Sequence, residues 1–107
     1  MITSWLYLLG AILFEVAGTT SMKLSEGFTR TIPSVLIFIC YGICFSFLTL
    51  ALKKLEVSVA YSVWAGLGTV LVASIGVIWF RESMSVVKFL SIALIILGVI
   101  GVNYTKI

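Results

Sequence analysis

The sequence predicts an all-α integral membrane protein with four transmembrane helices. Of its 107 residues, 62% are hydrophobic and only 10% are charged, whereas a typical soluble domain has about 25% charged residues. The mean hydropathy is +1.26. Long uncharged stretches favour helices, because a spanning segment in lipid must satisfy its own backbone hydrogen bonds. This composition excludes a soluble enzyme, a nucleic-acid-binding protein and a disordered tail.

The positions of the charges divide the chain into spans. Residues 31–52 and 57–80 carry no charged side chain, and 89–105 is a third uncharged stretch. A helix needs about 20 apolar residues to cross the roughly 30 Å hydrocarbon layer. We therefore predict one four-helix transmembrane domain over residues 1–107, with spans at about 3–22, 33–52, 57–80 and 85–104.

The first two spans need separate justification. The first contains a carboxylate, Glu15, lacks a basic segment before it and is long for the apolar region of a signal peptide, so we expect a retained span. Pro33 marks the start of the second span, because proline is tolerated in the first turn of a helix.

Metal and triad chemistry have no basis in this composition. The chain contains no histidine and no aspartate, which excludes a His-ligated metal site and a Ser-His-Asp triad. Cys40 and Cys44 lie one helical turn apart without further ligands. We interpret both as apolar filling, and we predict no metal, no cofactor and no enzymatic activity.

The positive charges are almost equally divided between the two sides of the membrane. One side has four, and the other has three: Lys23, Arg30, Arg81 and Lys88 against Lys53, Lys54 and Lys106. A fixed orientation normally shows a clear excess on the cytoplasmic side. We infer insertion in both orientations; the alternative is a partner or insertion factor that fixes one of them. Because many transporters pair two inverted halves around a midplane site, we predict an antiparallel homodimer in the lipid bilayer.

Glu15 is the predicted binding group. A charge at the centre of a span costs about 2.5–3.5 kcal/mol for Asp, Lys or Arg, so a charged residue there indicates function. The alternative is a protonated glutamate that only links helices. Two such carboxylates in a dimer each favour the protonated form, whereas a bound cation favours the ionised form. Competition between protons and cations for one site is the simplest basis of exchange. The helix face of Glu15, by spacings of three, four and seven, comprises Leu8, Ala11, Ile12, Gly18, Thr19 and Met22.

Aromatic and small residues complete the predicted site. Tyr41 and Phe45, with Phe38 before them, share a face of the second span, and Tyr61 and Trp64 share a face of the third. Ring faces bind organic cations, although such stripes also serve as ordinary packing. Some glycines of the last two spans permit bends or close helix contacts. They include Gly66 and Gly68 in the third span and Gly98 in the fourth, seven residues after Ser91.

These residues together resemble the small multidrug resistance family of bacterial proton-coupled exporters. The resemblance covers the whole chain and rests on GAILFEVAGTTSMKLSEGFTR (10–30), IPS (32–34), VAYSVWAGLGTV (59–70) and LIILGV (94–99). It implies an antiparallel dimer in the bacterial inner membrane and a carboxylate at Glu15 shared by protons and cations. It also implies a pocket, a bend and a dimer contact. The pocket is Leu8, Ala11, Ile12, Gly18, Thr19, Tyr41, Phe45, Tyr61 and Trp64; the bend is Gly66 and Gly68; the contact includes Ser91, Ile95 and Gly98.

The segment 15–20 is similar to the branch that exports quaternary ammonium and other lipophilic cations. The guanidinium-exporting branch typically has a tryptophan where this chain has Gly18. Departures from the pattern occur at Cys44, Ser46 and Ser91, where serine, a bulky aromatic residue and glycine are usual. The alternative substrates are small metabolite cations such as guanidinium, choline or betaine.

Other classes of membrane protein fit less well. A channel or a structural subunit would not need one carboxylate in a span together with balanced loop charges. A membrane enzyme would need more polar groups at mid-membrane than Glu15, Thr19 and Tyr61. An obligate pair with a sister protein would normally show opposite charge biases in the two chains.

Overall fold

The structure is a computed structural model that describes residues 2–105. This part of the chain folds into four α-helices without strands: α1 (Ile2–Leu24), α2 (Thr31–Ala51), α3 (Val57–Ile78) and α4 (Val86–Thr105). All four are long and apolar enough to cross a membrane. The predicted all-α architecture with four spans is confirmed. Lys106, which entered the charge balance, lies outside the described residues.

The helix ends lie within two residues of the predicted ones. Helix α2 begins at Thr31, so Pro33 is its third residue. A proline is tolerated there because the first backbone N–H groups of a helix have no partner within the helix. Helix α3 ends at Ile78, two residues before its predicted end, and residues 79–85 connect it to α4.

Helix α1 is central to the packing. It packs most extensively against α2 and also against α3, whereas α4 packs mainly against α3. The core lies where α1 meets the ends of α2 and α3 and the connection between them. Its buried members are Leu8, Ile12, Val16, Ala51, Leu55, Ala60 and Val63. Lipid tails are themselves apolar, so burying apolar side chains between helices gains little hydrophobic free energy. The association of these helices therefore depends on close packing.

Glycines bring α1 close to aromatic rings of α2. A Cβ atom at Gly10 would lie 2.6 Å from the Phe47 ring, and one at Gly18 would lie 2.9 Å from the Tyr41 ring. Both distances are shorter than a carbon–carbon contact allows. These two glycines therefore fix how α1 and α2 approach each other on either side of Glu15.

Helix α4 is the least enclosed of the four helices. None of the residues 86–104 is buried. Leu94, Leu97 and Ile100 each leave more than half of their surface exposed. Since the exposed side chains are apolar, this surface suits contact with lipid or with another transmembrane helix.

Candidate functional site

Glu15 lies between α1 and α3 with its carboxylate against a glycine. A Cβ atom at Gly68 would lie 3.1 Å from Oε2 and 3.2 Å from Oε1 of Glu15. Oε2 is buried and accepts no hydrogen bond from any residue that the structure describes. Among the described residues, this oxygen therefore has no protein donor that would stabilise a negative charge on it.

A cavity of about 410 Å³ extends from Glu15 to the ends of the helices. Thr19 and Thr20 of α1 line it on one side, and Gly68 and Thr69 of α3 line it on the other. Its far end, which we call the cavity mouth, is lined by Lys23, Gly76, Phe80, Glu82 and Lys88. The cavity gives Glu15 space next to its carboxylate and a route toward the aqueous surface.

Thr19 and Tyr41 are joined by a hydrogen bond between α1 and α2. Their hydroxyl oxygens lie 2.6 Å apart. The Tyr41 ring lies over Gly18, where only a glycine leaves room for it. Three residues predicted for the site, Gly18, Thr19 and Tyr41, thus meet one turn of α1 beyond Glu15.

The four predicted aromatic residues form one continuous cluster across α2 and α3. The ring centroids of Tyr41 and Phe45 lie 5.8 Å apart, those of Phe45 and Trp64 lie 6.4 Å apart, and those of Trp64 and Tyr61 lie 5.4 Å apart. Phe38 does not join them and stacks on Phe28 instead. None of the four lines the Glu15 cavity, so the cluster presents a separate ring surface, with Phe45 and Tyr61 more than half exposed.

Cys44, interpreted from the sequence as apolar filling, lies near the candidate site. It is fully buried and lies near both the Glu15 carboxylate and the Trp64 side chain. Trp64 Nε1 is buried without a hydrogen-bond partner among the described residues. The spacing of three residues from Tyr41 was the available signal, but it does not distinguish a packing cysteine from one beside a carboxylate. Cys44 therefore lies near both the carboxylate and the aromatic cluster, and its interpretation as apolar filling stays a prediction.

Leu8, Ala11 and Ile12 occupy a different part of the structure. All three are fully buried, and none of them lines the Glu15 cavity. They share the helix face of Glu15, but this part of the face points into the packing of α1 against its neighbours. Their role as substrate contacts stays a prediction.

The predicted bend glycines lie in an uninterrupted helix. Helix α3 runs from Val57 to Ile78 through both Gly66 and Gly68. In this conformation they serve close approach: a Cβ atom at Gly66 would collide with Val99 of α4, and one at Gly68 would crowd Glu15. A bend in another conformation stays a prediction.

The predicted dimer contact lies on α4. Ser91 is exposed, and a Cβ atom at Gly98 would meet no atom within 4 Å. Ile95 is also partly exposed, although its Cγ2 would lie 3.5 Å from a Cβ atom at Gly66 within the same protomer. Two of the three predicted residues thus leave open space for a neighbouring helix, and the contact itself stays a prediction.

Comparison with known proteins identifies the family of this chain. Residues 3–95 match the family model described as Small Multidrug Resistance protein. The chain is 56% identical over 100 residues to the uncharacterized membrane protein YvaE of Bacillus subtilis, covering 94% of this chain and 84% of that protein. It is 43% identical over 99 residues to the quaternary ammonium compound-resistance protein QacG of a Staphylococcus strain, covering 92% of each.

A third relative matches almost end to end. The chain is 42% identical over 103 residues to the multidrug resistance protein EbrA of Bacillus licheniformis, covering 96% of this chain and 98% of that protein. Together with four apolar spanning helices, these matches identify a multi-pass bacterial membrane protein that belongs to the small multidrug resistance family.

Proposed function

We propose that the protein exports quaternary ammonium and other lipophilic cations in exchange for protons, as an antiparallel homodimer. Protons and the cation compete for the pair of Glu15 carboxylates. The observation that carries this proposal is the Glu15 carboxylate itself, which lines a cavity and has a buried oxygen without a hydrogen-bond donor among residues 2–105.

The electrostatics of Glu15 support competition between the two ligands. An ionised carboxylate in an apolar environment is costly unless a proton or a cation neutralises it. Both ligands act on the same oxygens, so binding of one excludes the other. Exchange then follows when the loaded site is exposed alternately to the two sides of the membrane.

The chemistry of the surroundings favours an organic cation over a small inorganic one. Outside the Glu15 cavity, the protein also presents ring faces in the cluster of Tyr41, Phe45, Tyr61 and Trp64. Ring faces attract alkylated ammonium groups, which cannot donate hydrogen bonds. Relatives named for resistance to quaternary ammonium compounds and to multiple drugs support the same class.

The antiparallel dimer rests on two independent features. Four positive residues on one side of the membrane face three on the other, which leaves orientation undetermined. The exposed face of α4, with Ser91 and Gly98, offers small residues at which two helices approach closely. Two chains of opposite orientation would place the two Glu15 carboxylates around one midplane site.

Transport by the purified protein in liposomes tests the proposal. A pH gradient, acidic on one side, should drive saturable movement of benzyltrimethylammonium toward that side. We expect the Glu15→Gln variant to lose this transport. Glu26→Gln is the matched control, because Glu26 is exposed and paired with Arg30 at 2.9 Å, away from the cavity.

Two results would contradict the proposal. Retention of gradient-driven transport by Glu15→Gln would remove the carboxylate from the mechanism. A panel of guanidinium, choline and betaine distinguishes the alternative: transport of these compounds without transport of lipophilic cations would assign the same apparatus to small metabolites.

A further inference from the structure

We propose that Glu82, at the cavity mouth, is an outer binding site for organic cations. There, an arriving cation displaces the Lys88 ammonium from the Glu82 carboxylate before the cation moves on to Glu15. This inference rests on the proposed function and assigns a second carboxylate to it. Glu15 and Glu82 line the same cavity, one toward its inner end and one at its mouth.

Two features of the backbone bring Glu82 to the cavity mouth. The backbone N–H of Glu82 donates a hydrogen bond of 3.0 Å to the carbonyl oxygen of Gly76. The preceding residue, Arg81, has a φ of 57°, a left-handed conformation that is uncommon for a residue with a side chain. This turn directs the connection back onto the end of α3 and brings Glu82 next to the cavity.

Gly76 provides the space in which this carboxylate lies. A Cβ atom at position 76 would lie 2.5 Å from Oε1 and 3.0 Å from the carboxyl carbon of Glu82. The side chain therefore rests directly on the backbone of α3, which any larger residue would prevent. Because 48% of the Glu82 side-chain surface remains exposed, the carboxylate is accessible from water as well as from the cavity.

Lys88 holds Glu82 only loosely. Its Nζ lies 3.7 Å from Oε1 of Glu82, beyond the usual length of a hydrogen bond. The same Nζ donates a shorter hydrogen bond of 3.2 Å to the carbonyl oxygen of Ser83. A partly exposed ion pair of this kind contributes little net free energy. The ammonium group therefore keeps a backbone partner when an organic cation takes its place at the carboxylate.

The charge balance at the mouth gives Glu82 its importance. Lys23 and Lys88 both line this end of the cavity, and either would repel an arriving cation. Glu82 is the only carboxylate lining the mouth among the described residues. Without it, the route to Glu15 would present two positive groups and no compensating charge.

Transport kinetics at low ionic strength, where such electrostatic effects are largest, test this inference. We expect Glu82→Gln to raise the KM for benzyltrimethylammonium roughly threefold to fivefold with little change in kcat. Lys88→Gln should act in the opposite direction and lower the KM about twofold to threefold, because it removes the competing ammonium. An effect in opposite directions cannot come from poor folding of both variants.

Matched variants separate the binding site from a general effect of charge. Glu26→Gln removes the same charge from the first connection, on the same side of the four-helix unit but outside the cavity lining, and should leave KM unchanged. Gly76→Ala should raise KM when Glu82 is present, because it displaces the carboxylate. In a Glu82→Ala background it should have no further effect.

The outcomes distinguish this inference from the proposed function. If the unmodified protein transports the cation, Glu15→Gln is inactive and Glu82→Gln has an unchanged KM, the outer site is wrong and the proposed function stands. If Glu82→Gln and Glu26→Gln raise KM equally, the effect is one of net charge and the outer site is again wrong. Absence of saturable transport by the unmodified protein would overturn both.

Discussion

The Glu15 carboxylate on α1 lies directly against the backbone of Gly68 on α3. A Cβ atom at position 68 would be 3.1 Å from Oε2 and 3.3 Å from the carboxyl carbon of Glu15. These distances are tighter than ordinary van der Waals contact, so any side chain at 68 must displace the carboxylate by a few tenths of an ångström. Helix α3 thus sets the position of the group proposed to bind protons and cations.

Replacement of Gly68 should therefore impair transport without removing the carboxylate. We expect Gly68→Ala to lower the rate of proton-driven cation transport roughly threefold to tenfold, because small displacements of a binding group are costly. The measurement is the initial rate of uptake into liposomes at saturating cation. Gly42→Ala is the control, because a Cβ atom there meets nothing within 4 Å. An unchanged rate in Gly68→Ala would contradict the importance of this contact.

The hydrogen bond between Thr19 and Tyr41 should stabilise the packing of α1 against α2. Hydrogen bonds between transmembrane helices contribute about 0.6 kcal/mol on average. We expect a coupling energy of this size from the Thr19→Val and Tyr41→Phe variants and their double variant, measured as free energies of unfolding in detergent. The control pair combines Thr49→Val with Tyr41→Phe, because the Thr49 hydroxyl donates its hydrogen bond to the carbonyl oxygen of Phe45 within its own helix. A coupling energy equal to that of the control pair would show that the bond does not stabilise the protein.

The contact between Gly66 and Val99 should determine how α4 packs on α3. A methyl group at position 66 would overlap Val99 Cγ2, and overpacking of this kind costs about 1–3 kcal/mol. We expect Gly66→Ala to lower the free energy of unfolding by this amount and a second change, Val99→Ala, to restore more than half of it. Gly101→Ala, at a position with open space, should have little effect. If Val99→Ala does not restore stability, the destabilisation by Gly66→Ala does not come from the contact with Val99.

The balance of loop charges predicts that the orientation in the membrane can be changed by mutation. Replacing both Lys53 and Lys54 by serine leaves four positive residues on one side against one on the other, so we expect a single orientation with 79–85 in the cytoplasm. Labelling of a Ser83→Cys variant in intact cells with a membrane-impermeant thiol reagent measures this. Labelling should be partial in the lysine-containing protein and should fall sharply in the serine variant.

The control for orientation keeps the charge. Arginine at positions 53 and 54 preserves the balance and should preserve partial labelling. Cys40 and Cys44 are both buried, so they contribute little background. Complete labelling, or none, in the protein with both lysines would contradict insertion in two orientations.

The spans and the central carboxylate could be predicted from the sequence because both follow from the cost of charge in lipid. That cost confines charged residues to the connections, which locates the four helices, and it makes Glu15 conspicuous within the first span. Pro33 located the start of the second span to within two residues. These signals are local, so they need no knowledge of how the helices pack.

The parts of the site that depend on packing could not be predicted in the same way. Helical spacing placed Ala11 and Thr19 on one face with Glu15, but the structure divides this face between the packed interior and the cavity. The position of Cys44 near Glu15 could not be predicted, because nothing in the sequence brings it near a carboxylate on another helix.

The position of Glu82 could not be predicted for a related reason. The left-handed turn at Arg81 and the space over Gly76 decide its position, and neither has a periodic signature in the sequence. The position of a side chain in an irregular connection becomes known only from the structure of that connection.

Because α4 is the least enclosed helix, the proposed dimer should dissociate when the protein is diluted in the membrane. This helix packs mainly against α3, and none of the residues 86–104 is buried. In the isolated subunit, one of the four helices is therefore held mainly by one neighbouring helix. Association through that surface would obey mass action within the plane of the bilayer. Specific activity per polypeptide should consequently decline as lipid is added at constant protein, and recover when the mole fraction of protein is restored.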